Sequence, residues 1–138
     1  MAVDLENNYV PSPDEEFMND KQQAYFFNKL TDWKNDILDL SKETIHSMQE
    51  ENVHHPDLND RASSETDRAL ELRTRDRQRK LISKIDSALR RLDIGEYGYC
   101  EETGNPINLR RLAARPIATL SLEAQEKHEK RERVYRDA

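Results

Sequence analysis

The sequence predicts a mainly α-helical protein, with a long antiparallel coiled-coil hairpin followed by a small globular domain. Charged residues make up 36% of the 138 residues and only three are glycine, a composition typical of long solvated helices. Apolar residues recur at alternating spacings of four and three, which is the pattern of a coiled-coil seam. A short segment around Pro56 separates the two stretches that carry this pattern, and it predicts the tip of a hairpin.

The first helix is predicted from about residue 19 to residue 52, after an N-terminal segment, residues 1–18, that we assign to the globular part. Asn19 and Gln22 have the spacing of a helix cap, and Ser12 to Glu15 show the same pattern, which predicts an earlier helical start. The predicted seam of this helix consists of Phe26, Leu30, Trp33, Ile37, Leu40 and Thr44.

The hairpin tip is predicted at about residues 53–62, because Pro56 disfavours helix at His55 and the following Asp and Asn residues suit turns and caps. A second helix is predicted from about residue 61 to residue 93, with Gly95 as its stop. Its seam consists of Leu81, Ile85, Ala88 and Leu92. Residues 19–93 therefore form the predicted coiled-coil hairpin.

Counting outward from the tip predicts that Trp33 packs near Leu81 and Leu40 near Thr74. That register also places Lys29 beside Lys84, so the match of opposite charges described next is incomplete at Lys84, which we expect to be available for an anion. Opposite charges are expected to meet along one flank, formed on the first helix by Asp32, Asp36, Asp39 and Glu43 and on the second by Arg73, Arg77, Lys80 and Lys84.

The globular domain is predicted over residues 94–138, with a short hairpin at residues 97–107 and a final helix from about residue 121 to residue 135. Cys100 is the only cysteine, which excludes an intrachain disulfide and a four-thiolate metal site. Thr103 stands where a zinc knuckle needs a second ligand, and no histidine completes the site. We therefore expect no zinc.

Several classes of function are disfavoured by composition. No apolar run approaches the length of a membrane span and the first residues lack the pattern of a signal peptide, so we expect a cytoplasmic protein. A net charge of −6 disfavours simple coating of nucleic acid, and we expect no sequence-specific DNA binding. No arrangement of residues stands out as catalytic, so we do not expect an enzyme.

The acidic tip is the sharpest functional candidate, and it has two interpretations. Asp57 and Asp60 can cap the second helix and complement its dipole without any partner. Exposed at the end of a hairpin, the same carboxylates can instead act on a metal-bound or basic site in another protein. Spacing alone does not decide between them.

From about residue 14 onward the chain resembles the DksA/TraR family of bacterial transcription factors, which bind RNA polymerase. The resemblance rests on four segments in the same order as in the family. They are Asp57-Leu-Asn-Asp60-Arg61-Ala62, Leu70 to Ile85, Tyr97-Gly-Tyr-Cys100 and Arg110-Arg-Leu-Ala-Ala-Arg115-Pro116. It implies a zinc-finger-like hairpin in the globular domain, here metal-free, because the family's four cysteine positions are Cys100, Thr103, Ser121 and Ala124.

The resemblance also implies a mechanism, in which the hairpin enters the secondary channel of the polymerase. Asp57, Asp60 and Ala62 would then act near the active centre, and Arg77 would contact the rim. Initiation would be repressed at ribosomal RNA promoters and activated at amino-acid-biosynthesis promoters, together with guanosine tetraphosphate (ppGpp) in the stringent response. The nucleotide would lie between factor and polymerase, at the matching positions Leu81, Lys84 and Arg115, while Gln125 replaces a phosphate-facing lysine of the family.

Two other functions remain as alternatives. One is a cofactor like the Gre transcript-cleavage factors, whose tip carboxylates hold magnesium in the polymerase active site. The other is a plain coiled-coil adaptor with no role at the polymerase. For the leading interpretation we expect a monomer, with no cofactor bound by the protein alone.

Overall fold

The computed structural model describes residues 5–6, 8–51 and 58–137, and it describes only the backbone at 47–51, 58–62 and 137. Within these described residues there are four helices, α1 (Asp20–Glu51), α2 (Leu58–Ile94), α3 (Leu109–Ala114) and α4 (Leu122–Asp137). The chain forms two compact units, one of residues 1–30 and 87–138 and the other of residues 31–86. Within the described residues, none of the helices is both long and apolar enough to cross a bilayer.

Helix α1 begins one residue after the predicted position, and its start is a helix cap. Asn19 Oδ1 accepts the backbone N–H of Gln22 at 2.9 Å, which satisfies one of the free donors of the first turn. Gln22 is fully buried, and its Oε1 accepts the N–H of Met18 at 2.8 Å rather than that of Asn19. The predicted bounds of the first helix are confirmed to within one residue at each end.

The earlier helical start predicted at Ser12 is wrong. The capping contacts are present, since Glu15 Oε1 accepts the N–H of Ser12 at 3.2 Å, but only a turn follows. Met18 has a φ of 53°, in the left-handed region, so a right-handed helix cannot continue through it into α1. The predicted capping contacts are therefore present, but the left-handed backbone conformation of Met18 prevents a helix from running through this segment.

The unit of residues 1–30 and 87–138 has an aromatic core around Phe26. The Phe26 side chain has no exposed surface, and its ring centroid lies 5.4 Å from that of Tyr97. The N-terminal segment joins this unit through Phe17, whose ring meets Tyr99 edge-on at 5.4 Å. Other buried side chains of the unit are Leu30, Ala88, Leu92, Ile107 and Leu112.

The hairpin predicted at residues 97–107 is reduced to one antiparallel bridge between Tyr99 and Pro106. The N–H of Ile107 donates to Gly98 O at 2.7 Å and that of Cys100 to Asn105 O at 2.8 Å, which is too short a ladder for two strands. Gly98 has a φ of 89°, and a Cβ there would lie 3.0 Å from Met18 Cε, so only glycine fits. The predicted hairpin is therefore present only as a tight turn within residues 97–107, and we call this segment the knuckle.

Helix α3 was not predicted, although its cap signal is present in the sequence. Asn108 Oδ1 accepts the N–H of Arg110 at 2.9 Å, as an N-cap residue does. The helix has only six residues, which is too short for a hydrophobic periodicity to be visible. By contrast, α4 begins at Leu122 and ends at Asp137, close to the predicted final helix.

In the unit of residues 31–86, two contacts fix the register between α1 and α2, and the predicted pairing is wrong. Ser41 Oγ donates to Gln78 Oε1 at 2.8 Å, whereas the count from the tip placed Ser41 level with Arg73. Lys34 Nζ donates to Asp86 at 2.6 Å, whereas the count placed it level with Lys80. Trp33 with Leu81 and Leu40 with Thr74 are therefore not the facing pairs.

The predicted seam is correct near the globular part and wrong further along α1. Phe26, Leu30 and Ile37 are buried, but Leu40 is 53% exposed. Ser41, four residues after Ile37, takes the facing position instead and makes the hydrogen bond with Gln78. The step of four in place of three turns Leu40 outward, and among the described side chains of α1 beyond Ile37 none is fully buried.

Phe26→Ala is expected to lower the free energy of unfolding by about 3–5 kcal/mol, because it removes a fully buried ring from the core. The neighbouring Phe27 is only half-buried and provides a matched control. Phe27→Ala should cost less than about half as much. Urea unfolding followed by circular dichroism measures both, and equal losses for the two variants would contradict this account of the core.

Candidate functional site

The residues of the predicted acidic tip are only partly described. Asp57 lies outside the described residues, as do residues 53–56. Asp60 and Ala62 lie within the first turns of α2, which begins at Leu58, three residues earlier than predicted. Asp60 is thus a helical residue near an N-terminus, where a carboxylate is favourable to the helix dipole. The two interpretations of the tip stay open.

Helix α2 carries a row of cations on one face. Arg73, Arg77, Lys80 and Lys84 follow one another at spacings of four, three and four, which places them on the same side of a helix. All four are exposed. We call these four residues the cationic face.

The acidic flank predicted to pair with the cationic face does not do so. In the described part of the chain, none of Asp32, Asp36, Asp39 and Glu43 forms an ion pair with it, and the ion pair between α1 and α2 is Lys34 with Asp86. The first helix thus supplies the cation rather than the anion.

Lys84 and Lys29 have different surroundings, although the sequence predicted two neighbouring lysines without partners. Among the described residues Lys84 has no hydrogen bond or ion pair and is exposed, as expected for a cation free to bind an anion. Lys29 has contacts within its own compact unit. Its Nζ donates to the carbonyl of Ala113 at 2.7 Å and lies 5.8 Å from the ring centroid of Tyr25.

Arg115 is the residue that ends α3, and its side chain is exposed. Together with Arg110 and Arg111 it lines an open cavity of about 600 Å³ beside the start of α4. The predicted nucleotide residues Leu81 and Lys84 belong to the other compact unit, so each group is described by itself. Gln125 is half-buried, and its Nε2 donates to Glu129 Oε1 at 3.2 Å.

Arg110 and Arg111 were not singled out from the sequence as site residues. Arg111 Nε donates to the carbonyl of Leu120 at 2.9 Å, which ties α3 to the segment before α4. The available signal was the Arg-Arg pair directly after a capping Asn, within one turn of Arg115. It was not used because the helix itself was not recognised.

Cys100 is buried, and it lies among the residues at the family's zinc-ligand positions. Burial raises the pKa of its thiol, but hydrogen bonds from the hydroxyl and backbone groups of Thr103 and Ser121 outweigh that effect and lower the pKa to about 6. Ser121 Oγ also accepts the N–H of Ala124 at 3.3 Å. Hydrogen bonds to sulfur therefore occupy the place that metal bonds have in a zinc knuckle.

These residues do not fit a structural zinc ion. Such sites are closed by four Cys or His ligands, whereas the four positions here hold one thiol, two neutral hydroxyls and a methyl group. Among the residues that the structure describes, His, Cys, Asp and Glu nowhere form a group of three that suits a metal.

Two family models together match 107 of the 138 residues. Residues 22–92 match the model described as DnaK suppressor protein DksA, N-terminal domain. Residues 95–130 match the model described as prokaryotic dksA/traR C4-type zinc finger. The first match covers α1 and nearly all of α2, and the second covers the knuckle, α3 and the first part of α4.

Named relatives of the same family align with this chain over most of their own length. The chain is 68% identical over 131 residues to a protein of Caulobacter vibrioides named RNA polymerase-binding transcription factor DksA, covering 95% of this chain and 92% of that one. A protein of the same name from Escherichia coli is 43% identical over 125 residues, which is 91% of this chain and 83% of that one. The solved structure of transcription factor DksA2 from Pseudomonas aeruginosa superposes with a TM-score of 0.83 at 41% identity, covering 88% of this chain and 93% of that one.

The Cys100 thiol is expected to titrate with a midpoint of about pH 6, against about 8.5 for an ordinary cysteine. Ultraviolet absorbance of the thiolate measures this midpoint directly. Thr103→Val should raise it by removing a hydroxyl donor, while Thr44→Val on α1 should not change it.

Because the pKa of the Cys100 thiol is depressed in the folded protein, the thiolate stabilises the fold above the unfolded pKa, and this contribution is lost as the pH falls through about 6. A midpoint near 8.5 in the wild type would contradict the described hydrogen bonds.

Metal analysis of the purified protein should find no stoichiometric zinc, because three of the four ligand positions lack a thiol. The variant that combines Thr103→Cys, Ser121→Cys and Ala124→Cys should bind about one ion per chain, if the knuckle has kept its geometry. Adding Cys100→Ala to this variant is the control and should weaken binding. One zinc ion per chain in the wild type would show that the assignment is wrong.

Proposed function

This chain belongs to the DksA family, and we infer from that membership that it is a transcription factor that binds RNA polymerase directly and modulates initiation. The identity of 68% to a named RNA polymerase-binding factor, over 95% of the chain, is the observation that carries this conclusion. The resemblance predicted from the four sequence segments is thereby confirmed. The same names describe binding factors rather than enzymes, in agreement with the sequence.

The proposed route to the polymerase is its secondary channel, with the loop between α1 and α2 as the leading end. Asp57, Asp60 and Ala62 are the proposed acting residues near the active centre, where carboxylates meet bound magnesium or basic side chains. Asp60 lies in the first turn of α2, the helix that follows α1 along the chain, and this position at a helix end supports the proposal. Under this proposal, helix capping is the secondary role of these acids.

The cationic face of α2 is the proposed contact with the rim of the polymerase, with Arg77 as its central residue. The four exposed cations have no partner in the described part of the chain, so an acidic surface can pair with them without first breaking an ion pair of this protein. Charges arranged in this way steer encounter with an acidic surface and fix the register of binding. The absence of the predicted pairing within the hairpin thus supports a role for these residues toward a partner.

Guanosine tetraphosphate is the proposed co-regulator, bound between this protein and the polymerase by Leu81, Lys84 and Arg115. The exposed Lys84 and the exposed Arg115 supply cations suited to its phosphates, and an arginine can bind two phosphate oxygens at once. Gln125 supplies no charge, so we expect weaker nucleotide binding than in members with a lysine there.

The proposed regulatory outcome is repression of ribosomal RNA promoters and activation of amino-acid-biosynthesis promoters in the stringent response. The protein would act as a monomer in the cytoplasm, where the polymerase is found, and would need no sequence-specific contact with DNA. Transcription in vitro from a ribosomal RNA promoter, with and without the nucleotide, tests this proposal as a whole.

Combining Asp57→Asn with Asp60→Asn is expected to reduce the effect on transcription at least about tenfold, because both charges at the proposed acting end are lost. Affinity for the polymerase should stay within about twofold of the wild type, since the proposed rim contacts are intact. Promoter-specific transcription and a binding assay with core polymerase measure the two quantities.

Asp67→Asn, an exposed acid further along α2, is the matched control and should change neither quantity. Equal loss of transcription effect and binding in the double variant would contradict the proposed division of roles. Robust transcript cleavage that depends on Asp57 and Asp60 would instead support the Gre-like alternative.

A further inference from the structure

Arg115 follows a helix that is too short to hold its own shape. Helix α3 has six residues, and isolated helices of this length are unstable in water. The N–H of Arg115 donates to Arg111 O at 2.7 Å, and its carbonyl accepts the N–H of Ala118 at 3.0 Å. These local bonds shape a turn, but they do not attach it to the rest of the unit.

One long-range bond attaches this turn from the side of α1. Lys29 Nζ donates to the carbonyl of Ala113 at 2.7 Å, although the two residues are 84 positions apart. Ala113 lies in the last turn of α3, where carbonyls have no partner within the helix and a positive charge is favourable. Lys29 therefore acts as a C-terminal cap supplied by a different helix.

A second long-range bond attaches the turn from the knuckle side. The hydroxyl of Tyr97 donates to the carbonyl of Pro116 at 2.8 Å. Tyr97 is 2% exposed and packs against Phe26, so the core holds its ring in place. Burial raises the pKa of its hydroxyl, which keeps it protonated and able to donate at neutral pH.

The two bonds flank Arg115 along the chain, since one is made by Ala113, two residues before it, and the other by Pro116, the next residue. The side chain of Arg115 itself is exposed. We propose that Lys29 and Tyr97 are positioning residues for nucleotide binding, which hold the backbone of Arg115 so that its guanidinium is presented to a phosphate of guanosine tetraphosphate. A fixed backbone lowers the entropy lost when the side chain binds, and so raises affinity without any contact to the ligand. The inference rests on the proposed role of Arg115 in nucleotide binding.

The test is a titration of guanosine tetraphosphate in transcription reactions that contain polymerase, a ribosomal RNA promoter and the full chain. The half-maximal nucleotide concentration is compared among variants, each added at a concentration that saturates the polymerase, so that differences in factor binding do not enter the comparison. Lys29→Met and Tyr97→Phe are each expected to raise it roughly threefold to tenfold, which corresponds to fixing one additional side chain on binding. Lys29→Arg keeps a donor and should stay within about twofold of the wild type.

Two further variants make the outcome specific. Lys42→Met removes an exposed lysine of the same helix and should leave the half-maximal concentration unchanged. Arg115→Ala should raise it, and adding Lys29→Met to Arg115→Ala should have no additional effect, because both act through one guanidinium. If Lys29→Met does not fold, Tyr97→Phe and Lys29→Arg carry the same comparison.

The remaining outcomes contradict either the positioning role of Lys29 and Tyr97 or the proposed nucleotide site itself. If Arg115→Ala raises the half-maximal concentration while Lys29→Met and Tyr97→Phe do not, the positioning role is wrong and the proposed nucleotide site stands. Additive effects of Lys29→Met and Arg115→Ala would also exclude the positioning role. If Arg115→Ala itself has no effect, the nucleotide site proposed above is wrong, and the positioning role is wrong with it.

Discussion

Burial of Phe26 against Tyr97 is the interaction on which the described globular unit depends. It brings a residue of the first helix against the knuckle, and through the hydroxyl of Tyr97 it reaches the carbonyl of Pro116. A chain with 36% charged residues has few apolar side chains to bury, so each fully buried ring has a large share of the stability. The Tyr97 hydroxyl and the buried Gln22 amide have hydrogen-bond partners, whereas the buried Nε of Arg91, a charged neighbour of Tyr97, has none among the described residues.

The knuckle shows how a zinc-finger-like segment can keep its shape without the metal ligands. Thr103 and Ser121 direct hydroxyl and backbone donors at the Cys100 sulfur, which favours the thiolate and compensates for its burial. Elsewhere in the same unit, Ile107 and Leu112 are fully buried and Arg111 ties α3 to the segment before α4. Packing and hydrogen bonds thus provide the constraint that four metal bonds provide in a structural zinc site.

The sequence predicted which charged residues share a helix face, but it did not predict which residues they meet on the other helix. The sequence gives the residues of the cationic face and correctly identifies Lys84 as a lysine without a partner in the described part of the chain. It assigned that lysine by a register that is wrong, and it placed Lys29 beside it, although Lys29 caps α3 instead. A helix records which side chains share a face, but not which residues of another helix that face will meet. The role of the acidic tip stays a prediction, because Asp57 lies outside the described residues.

The sequence by itself determined the fold class, the bounds of α1 to within a residue, the approximate bounds of α2 and α4, and the family. These follow from caps, from apolar periodicity and from local motifs, all of which act within a few turns of one chain segment. Only the tertiary structure decided the register of Ser41 with Gln78, the presence of α3, and the bonds from Lys29 and Tyr97 that flank Arg115. Such contacts join residues far apart in sequence, and they are selected by packing and by the satisfaction of buried polar groups rather than by any local pattern.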